Sequence, residues 1–378
     1  MIPYDDMEPA CARLIADRIR KRPQPPYSAR NTAEVAERLE RFLAQHQPGA
    51  RVSGVARMGG GASKEQFVFT LDRDGAPSQR YVLRMDPAEA ITETDRRREH
   101  DILRAVQGLI PAPLPVWLDQ EGDAFGQPAV IMEFVGGVTK PSNAAAKATG
   151  VGTWLGDPLR TQIGPQFVDH LVSLHGLKWD VPGLASFQAP TADPQQAARW
   201  TLNYWRALWA TDKVEDRPIM SYAEQWLIEN MPSCDELVMI HGDYRTGNYL
   251  FDESTGRITA VLDWELARIG DFHEDLAYTL VQVFGTWDDG LFRVSDLYPR
   301  EEFIAAYEKA SGRTVNRRTL HWYDVLSAFK IYVVVAASGL SAARAAHNHQ
   351  DVLLSFVASI GPMFADDMHR LLCMEEFA

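Results

Sequence analysis

Cysteine is scarce in this chain: Cys11, Cys234 and Cys373 stand far apart in 378 residues, with no CxxC pair and no metal-ligand spacing. That pattern argues against a disulfide framework or a structural zinc and fits a reducing cytosol. Basic residues are outnumbered, 38 against 51 acidic ones, for a net charge of −13. A binder of phosphate backbones needs a basic surface, so no nucleic-acid partner is expected, and the negative field mildly favours a cationic substrate. Long hydrophobic runs are missing too. The longest, Ile331 to Ala343, is interrupted by Ser338, Gly339 and Ser341; it is too short to cross a bilayer and reads as a buried helix. The opening Met1-Ile2-Pro3-Tyr4-Asp5-Asp6 lacks the basic-then-apolar layout of a secretory leader. A cytoplasmic location with no membrane partner is the expectation. There is no internal repeat, and no low-complexity tract beyond Ala144-Ala145-Ala146.

What is present is an ordinary globular composition, 46% apolar, 24% charged and 10% aromatic, long enough for two domains or one two-lobed domain. Residues 1–50 read as a helical extension broken by Arg22-Pro23-Gln24-Pro25-Pro26, with Val35, Leu39, Phe42 and Leu43 on one face of a helix from Thr32 to His46. Residues 51–136 read as a β-rich lobe. Its strands are Arg51 to Ala56, Gln66 to Leu71, Tyr81 to Arg84 and a later pair ending in Ala129 to Gly137, with a charged helix from Ala90 to Val106 inserted. Residues 137–378 read as a helical lobe interrupted by a β-rich stretch from Val238 to Trp264. The Gly-, Ala- and Thr-rich segment from Gly136 to Gly164 reads as a loop. This order predicts an α+β fold with a cleft between a β lobe and a helical lobe.

The most informative segment is Val238-Met239-Ile240-His241-Gly242-Asp243-Tyr244-Arg245-Thr246-Gly247-Asn248, followed by Ala260-Val261-Leu262-Asp263-Trp264-Glu265. An apolar strand delivers His241-Gly242-Asp243 into a tight loop, Asn248 follows five residues after the aspartate, and a second strand ends at Asp263. Phosphoryl transfer needs a carboxylate to orient and deprotonate the attacking hydroxyl, and oxygen ligands that hold Mg²⁺ against nucleotide phosphates. Asp243 suits the first task; Asn248 and Asp263 suit the second.

The pattern H-G-D-x-x-x-x-N followed by Leu262-Asp263-Trp264-Glu265 resembles the aminoglycoside phosphotransferase and choline kinase superfamily, relatives of the protein kinases. The resemblance covers about residues 50–280. It implies a protein-kinase-like two-lobed fold, ATP and Mg²⁺ as cofactors, Asp243 as catalytic base, Asn248 and Asp263 as metal ligands, and Glu265 near the metal. Arg245 stands where protein kinases acting on Ser or Thr carry a lysine, and a cation there would offset charge on the transferring phosphoryl group. His241 and Asp275 are expected to brace the loop, and Asp271 to cap the helix that follows.

The β lobe is expected to hold the nucleotide. Gly59-Gly60-Gly61-Ala62-Ser63 joins two strands, so the backbone at Gly60 and Gly61 can approach phosphates and Ser63 can add a hydroxyl. By itself a glycine hairpin is only a turn. It is neither a Walker A loop nor a dinucleotide fingerprint, and its place upstream of the catalytic loop is what singles it out. The resemblance puts the phosphate-pairing strand cation at Arg84, where most kinases have lysine. Arginine is usual in one branch, similar to the kinase-like domain fused to some acyl-CoA dehydrogenases. Glu99 is its expected helix partner, with Glu93 as second choice. Ile131-Met132-Glu133-Phe134-Val135 resembles the inter-lobe hinge, where backbone groups of Glu133 and Val135 would meet adenine and Met132 would face the core.

The implied activity is transfer of the γ-phosphate of ATP to a hydroxyl of a small molecule, such as a hydroxylated metabolite or a hydroxyacyl thioester. The alternatives are an antibiotic O-phosphotransferase of the aminoglycoside type and a nucleotide-binding pseudo-kinase. The scattered acids of the helical lobe form no dense cluster to reward a polycationic aminoglycoside, and its aromatics, Trp200, Tyr204, Trp205 and Trp209 among them, read mainly as core. A homodimer is compatible with the sequence.

Overall fold

The structure, a computed structural model, describes residues 6–23, 25–26, 28, 30–59, 64–87, 89–142, 153–348 and 350–374. Two helices come first, α1 (Pro9–Lys21) and α2 (Thr32–His46), the second capped by Asn31, whose side chain accepts the Ala33 N–H. A five-stranded antiparallel sheet follows, built from β1 (Arg51–Arg57), β2 (Glu65–Arg73), β3 (Ala76–Met85), β4 (Pro115–Asp119) and β5 (Ala129–Glu133) in the order β1-β2-β3-β5-β4. Helix α3 (Arg96–Ala105) is inserted after β3.

Alternation along β3 sets which residue faces what. Tyr81, Leu83 and Met85 point to one face and pack with Phe67, Phe69 and Leu71 of β2 and with Val35, Leu39, Phe42 and Leu43 of α2. Val82 is on the opposite face, in a core that runs through Ile102 and Leu103 of α3 into the helical lobe. Arg84 shares the parity of Val82, so the same period-2 rule that buries its neighbours under α2 turns this cation toward α3 and the second lobe.

The remaining chain forms α4 (Asp157–His175), α5 (Gln196–Asp212), α6 (Pro218–Glu229), β6 (Leu237–Ile240), β7 (Tyr249–Asp252), β8 (Arg257–Val261), β9 (Arg268–Asp271), α7 (His273–Thr279), β10 (Thr286–Asp288), β11 (Leu291–Arg293), α8 (Arg300–Ser311), α9 (Arg317–Tyr332), α10 (Leu340–Arg344), α11 (Asp351–Ala358) and α12 (Gly361–Leu372). The strands pair as antiparallel ribbons, β6 with β9, β7 with β8 and β10 with β11. The architecture is α+β and two-lobed, as the order of elements predicts.

Several expectations need correction. The inserted helix begins at Arg96 and not at Ala90, because Asp95 accepts the Arg97 N–H and caps it there. The loop expected to reach Gly164 ends earlier: α4 starts at Asp157 and includes Gly164, where a side chain would meet the Tyr298 hydroxyl at 2.7 Å. Helix α9 continues through a π-helical turn, Val333–Gly339, into α10. The resulting helix, Arg317–Arg344, is long and apolar enough to span a bilayer, contrary to the length inferred from sequence, but 78% of its apolar window is buried inside the protein, so it serves as a core helix. Residues 1–50 divide their packing between the two lobes. Met7 and Ile15 join the core of the helical lobe, whereas α2 covers the sheet.

Candidate active site

The site is built on the turn that follows β6. Gly242 has φ +81°, and a side chain there would collide with the Leu266 carbonyl at 2.6 Å, so only glycine fits. Asp275 of α7, fully buried, accepts the N–H groups of His241 and Gly242, each at 2.7 Å, and lies 3.2 Å from Nε2 of His175. Burial works to raise the Asp275 pKa, but the hydrogen bond and charge of His175 and the contacts with His241 outweigh it and leave the carboxyl below its usual range. His241 spans the loop: Nε2 is 2.8 Å from the Leu262 carbonyl and Nδ1 accepts the Asp243 N–H at 3.2 Å. Burial holds its pKa down, so the ring is neutral with the proton on Nε2. Both residues therefore brace the loop.

Asp243 is thereby placed with both carboxylate oxygens restrained. Oδ1 accepts from Nε of Arg245 at 2.9 Å, and Oδ2 accepts from Nδ2 of Asn248 at 2.6 Å. The Asn248 amide also donates to the Asp243 carbonyl at 2.9 Å. Both bonds require the nitrogen on that side, so the amide oxygen points away from them. Arg245 stacks over the Phe284 ring at 4.5 Å. Although burial opposes its charge, Asp243 keeps the guanidinium firmly protonated.

Asp263 adjoins this loop through the Leu262 N–H, which donates to the Asn248 carbonyl at 2.7 Å. Its backbone is left-handed (φ 60°), an uncommon conformation for a residue other than glycine, and its side chain is 39% exposed. Asn248 and Asp263 thus offer one amide oxygen and one carboxylate, the hard-oxygen pair that suits Mg²⁺ when phosphates and water complete the shell. Among the described residues no group of three or more His, Cys, Asp or Glu forms a metal cage.

Arg84 reaches this loop from the sheet. Its guanidinium pairs with Glu99 at 2.9 Å, Asp263 at 2.7 Å and Glu265 at 2.9 Å. Burial opposes the charge, but Glu99, Asp263 and Glu265 together raise the pKa well above the ordinary arginine value. The expected Arg84–Glu99 pair is present. The second choice, Glu93, instead meets Arg18 of α1 and Lys21. Two buried cations that sequence reasoning passed over complete the cluster. Lys64 lies 3.0 Å from Asp86, and Arg96 contacts Asp86 at 3.3 Å, Glu265 at 3.4 Å and Glu99. The spacing of Arg96 and Glu99, three apart on one helix face, was the available signal.

At the hinge, Met132 is buried as expected. The Glu133 carboxylate accepts from Gln79 at 2.7 Å, and its N–H donates to the Leu114 carbonyl at 2.9 Å, so neither is turned to the cleft. Arg80 stacks on Phe134 at 3.8 Å. No hydrogen bond to the Val135 N–H forms among the described residues. Gly60, Gly61 and Ser63 lie outside the described residues. Asp271 accepts the His273 N–H at 3.0 Å, one position earlier than a standard cap, because Phe272 takes the cap position itself.

The fold and the loop pattern define a two-lobed, kinase-like protein. The chain belongs to the phosphotransferase enzyme family, whose model matches residues 54–334. It is 27% identical over 319 residues to acyl-CoA dehydrogenase family member 11 of Gallus gallus, an alignment that covers 78% of this chain and 38% of the relative. The chain thus spans under two fifths of the length of the curated relatives it matches. Among solved structures it is similar to a putative aminoglycoside phosphotransferase from Ralstonia eutropha, with a TM-score of 0.62 and 22% identity over 88% of this chain and 98% of that one. It is also similar to a thermostable mutant of the aminoglycoside phosphotransferase APH(4)-Ia solved with ADP and hygromycin B, with a TM-score of 0.55 and 16% identity over 88% and 98% of the two chains.

Proposed function

We propose that this family member transfers the γ-phosphate of ATP to a hydroxyl group of a small molecule, with Mg²⁺ as cofactor. The observation that carries the reading is the Asp243 carboxylate, restrained by Arg245 and Asn248 beside the Asp263 loop. Asp243 is the catalytic base: it orients the acceptor hydroxyl and takes its proton as the oxygen attacks the γ-phosphorus, while ADP departs on the opposite side. Arg245 offsets charge on the transferring phosphoryl group. Asn248 and Asp263 hold the metal, which supplies charge neutralisation to the phosphates when bound. Arg84, kept in place by Glu99, pairs with nucleotide phosphates, and the Glu133 carbonyl with the Val135 N–H meets the adenine edge. Gly60, Gly61 and Ser63 cover the phosphates.

For the acceptor, we favour a hydroxyacyl thioester, because the relatives are named as acyl-CoA dehydrogenases. The test incubates the protein with Mg·ATP and two panels, hydroxyacyl thioesters and aminoglycosides, and reads phosphorylated masses. A product from the first panel supports the assignment. A product only from the second makes the protein an antibiotic phosphotransferase, and Mg·ATP binding with no hydrolysis and no product across a broad alcohol panel would favour a nucleotide-binding pseudo-kinase.

A further inference from the structure

Helix α9 carries a lysine into the interior. Lys330 is 2% exposed, and its Nζ donates to the Gly242 carbonyl. It sits 3.8 Å from the centre of the Tyr278 ring on α7 and 5.3 Å from that of Trp205 on α5. The ionised groups around it are Asp243 and Arg245 of the loop, Arg268 of β9 and Asp275 of α7. Burial, ahead of the repulsion from the two arginines, depresses its pKa to about 7. Burying an ammonium is unfavourable, and a methionine would fill a similar volume without that cost. What the lysine adds is a donor.

That donor acts on one peptide plane. The carbonyl of the Gly242–Asp243 peptide accepts from Lys330, and its N–H donates to His241. Gly242 has no side chain to resist rotation of this plane, and the plane determines where Asp243 points. We infer that Lys330 is a positioning residue for phosphoryl transfer, holding the Gly242 carbonyl from α9 so that the Asp243 carboxylate faces the acceptor hydroxyl. The inference rests on the function proposed above.

The experiment compares wild type, Lys330→Met and Lys330→Arg. Its readouts are Mg·ATP turnover with water as acceptor, KM for ATP, and amide hydrogen exchange of residues 241–244. Lys330→Met is expected to lower kcat at least tenfold with KM within twofold, and to speed exchange of the Asp243 amide at least tenfold. Lys330→Arg, which keeps a donor, is expected to restore most of both. Wild-type kcat and exchange in Lys330→Met would overturn the inference, as would a loss in Lys330→Met that Lys330→Arg leaves unrestored. If Lys330→Met does not fold, Lys330→Arg decides: near-wild-type turnover and protection support the role, and loss of both refutes it. If wild type releases no phosphate to water, the exchange data alone judge Lys330, and the kinase reading is judged separately by the acceptor panels.

Discussion

Replacing Asp275 by asparagine should cost about 3–5 kcal/mol of stability, although the two side chains have nearly the same shape. The carboxylate accepts two backbone N–H groups at 2.7 Å, one on each oxygen, from a position with no solvent exposure. An amide has one oxygen. It can keep one of these bonds, but its NH₂ group must then face the other N–H. One charge-assisted bond is lost, worth roughly 1.5–3 kcal/mol, and a buried donor is left unpaired at roughly 1–3 kcal/mol more. Urea unfolding followed by tryptophan fluorescence measures the difference. The pH dependence adds a second check. The folded-state pKa of Asp275 is depressed, so its stabilisation is fully present above the unfolded carboxylate value of about 4 and is lost as pH falls through the lower folded value. The gap between wild type and Asp275→Asn should therefore be constant near neutrality and shrink only below about pH 4. A cost under about 1 kcal/mol at pH 7, or a gap unchanged in acid, would refute the argument that this carboxylate shapes the loop.

Gly242→Ala should destabilise by about 2 kcal/mol or more, since it combines a left-handed backbone with a contact 2.6 Å from the Leu266 carbonyl; thermal unfolding reads this directly. Asn248→Ala should raise the Mg²⁺ concentration needed for half-maximal turnover by roughly tenfold or more, because it removes one proposed ligand and frees Asp243; a magnesium titration of activity tests it. Lys330, with its pKa lowered to about 7, binds fewer protons folded than unfolded from there up to about pH 10. Stability relative to Lys330→Met should therefore rise with pH across that window, by roughly 2 kcal/mol between pH 7 and 9, and urea unfolding at both values would reveal it.

The part of the site that is contiguous in sequence was readable from it. His241, Asp243, Arg245 and Asn248 lie within one turn, and their contacts with one another follow from short-range geometry. The Arg84–Glu99 pair was expected from the family resemblance, with Glu93 left open as the alternative, and the pair forms. What escaped was set by tertiary approach. Lys330 meets Gly242 across 88 residues, and nothing near either position announces the contact. The charged neighbours of Arg84 on the far lobe, Asp263 and Glu265, depend on how the lobes close. Glu93 was a plausible partner by spacing alone, yet α1 brings Arg18 to it, and a helix near the chain start carries no local sign of where it docks. The start of α3 was missed for a smaller reason: the Asp95 cap outweighed composition.

In the proposed reaction Asp243 takes the proton of the acceptor hydroxyl while the nucleotide is held elsewhere. Asp243→Asn tests it most directly, with phosphate transfer from Mg·ATP and the Kd for ATP measured on the same preparation. Transfer should fall by about 10²–10⁴-fold, with ATP affinity within twofold of wild type. An Asp243→Asn protein that transfers phosphate at the wild-type rate would exclude Asp243 as the base.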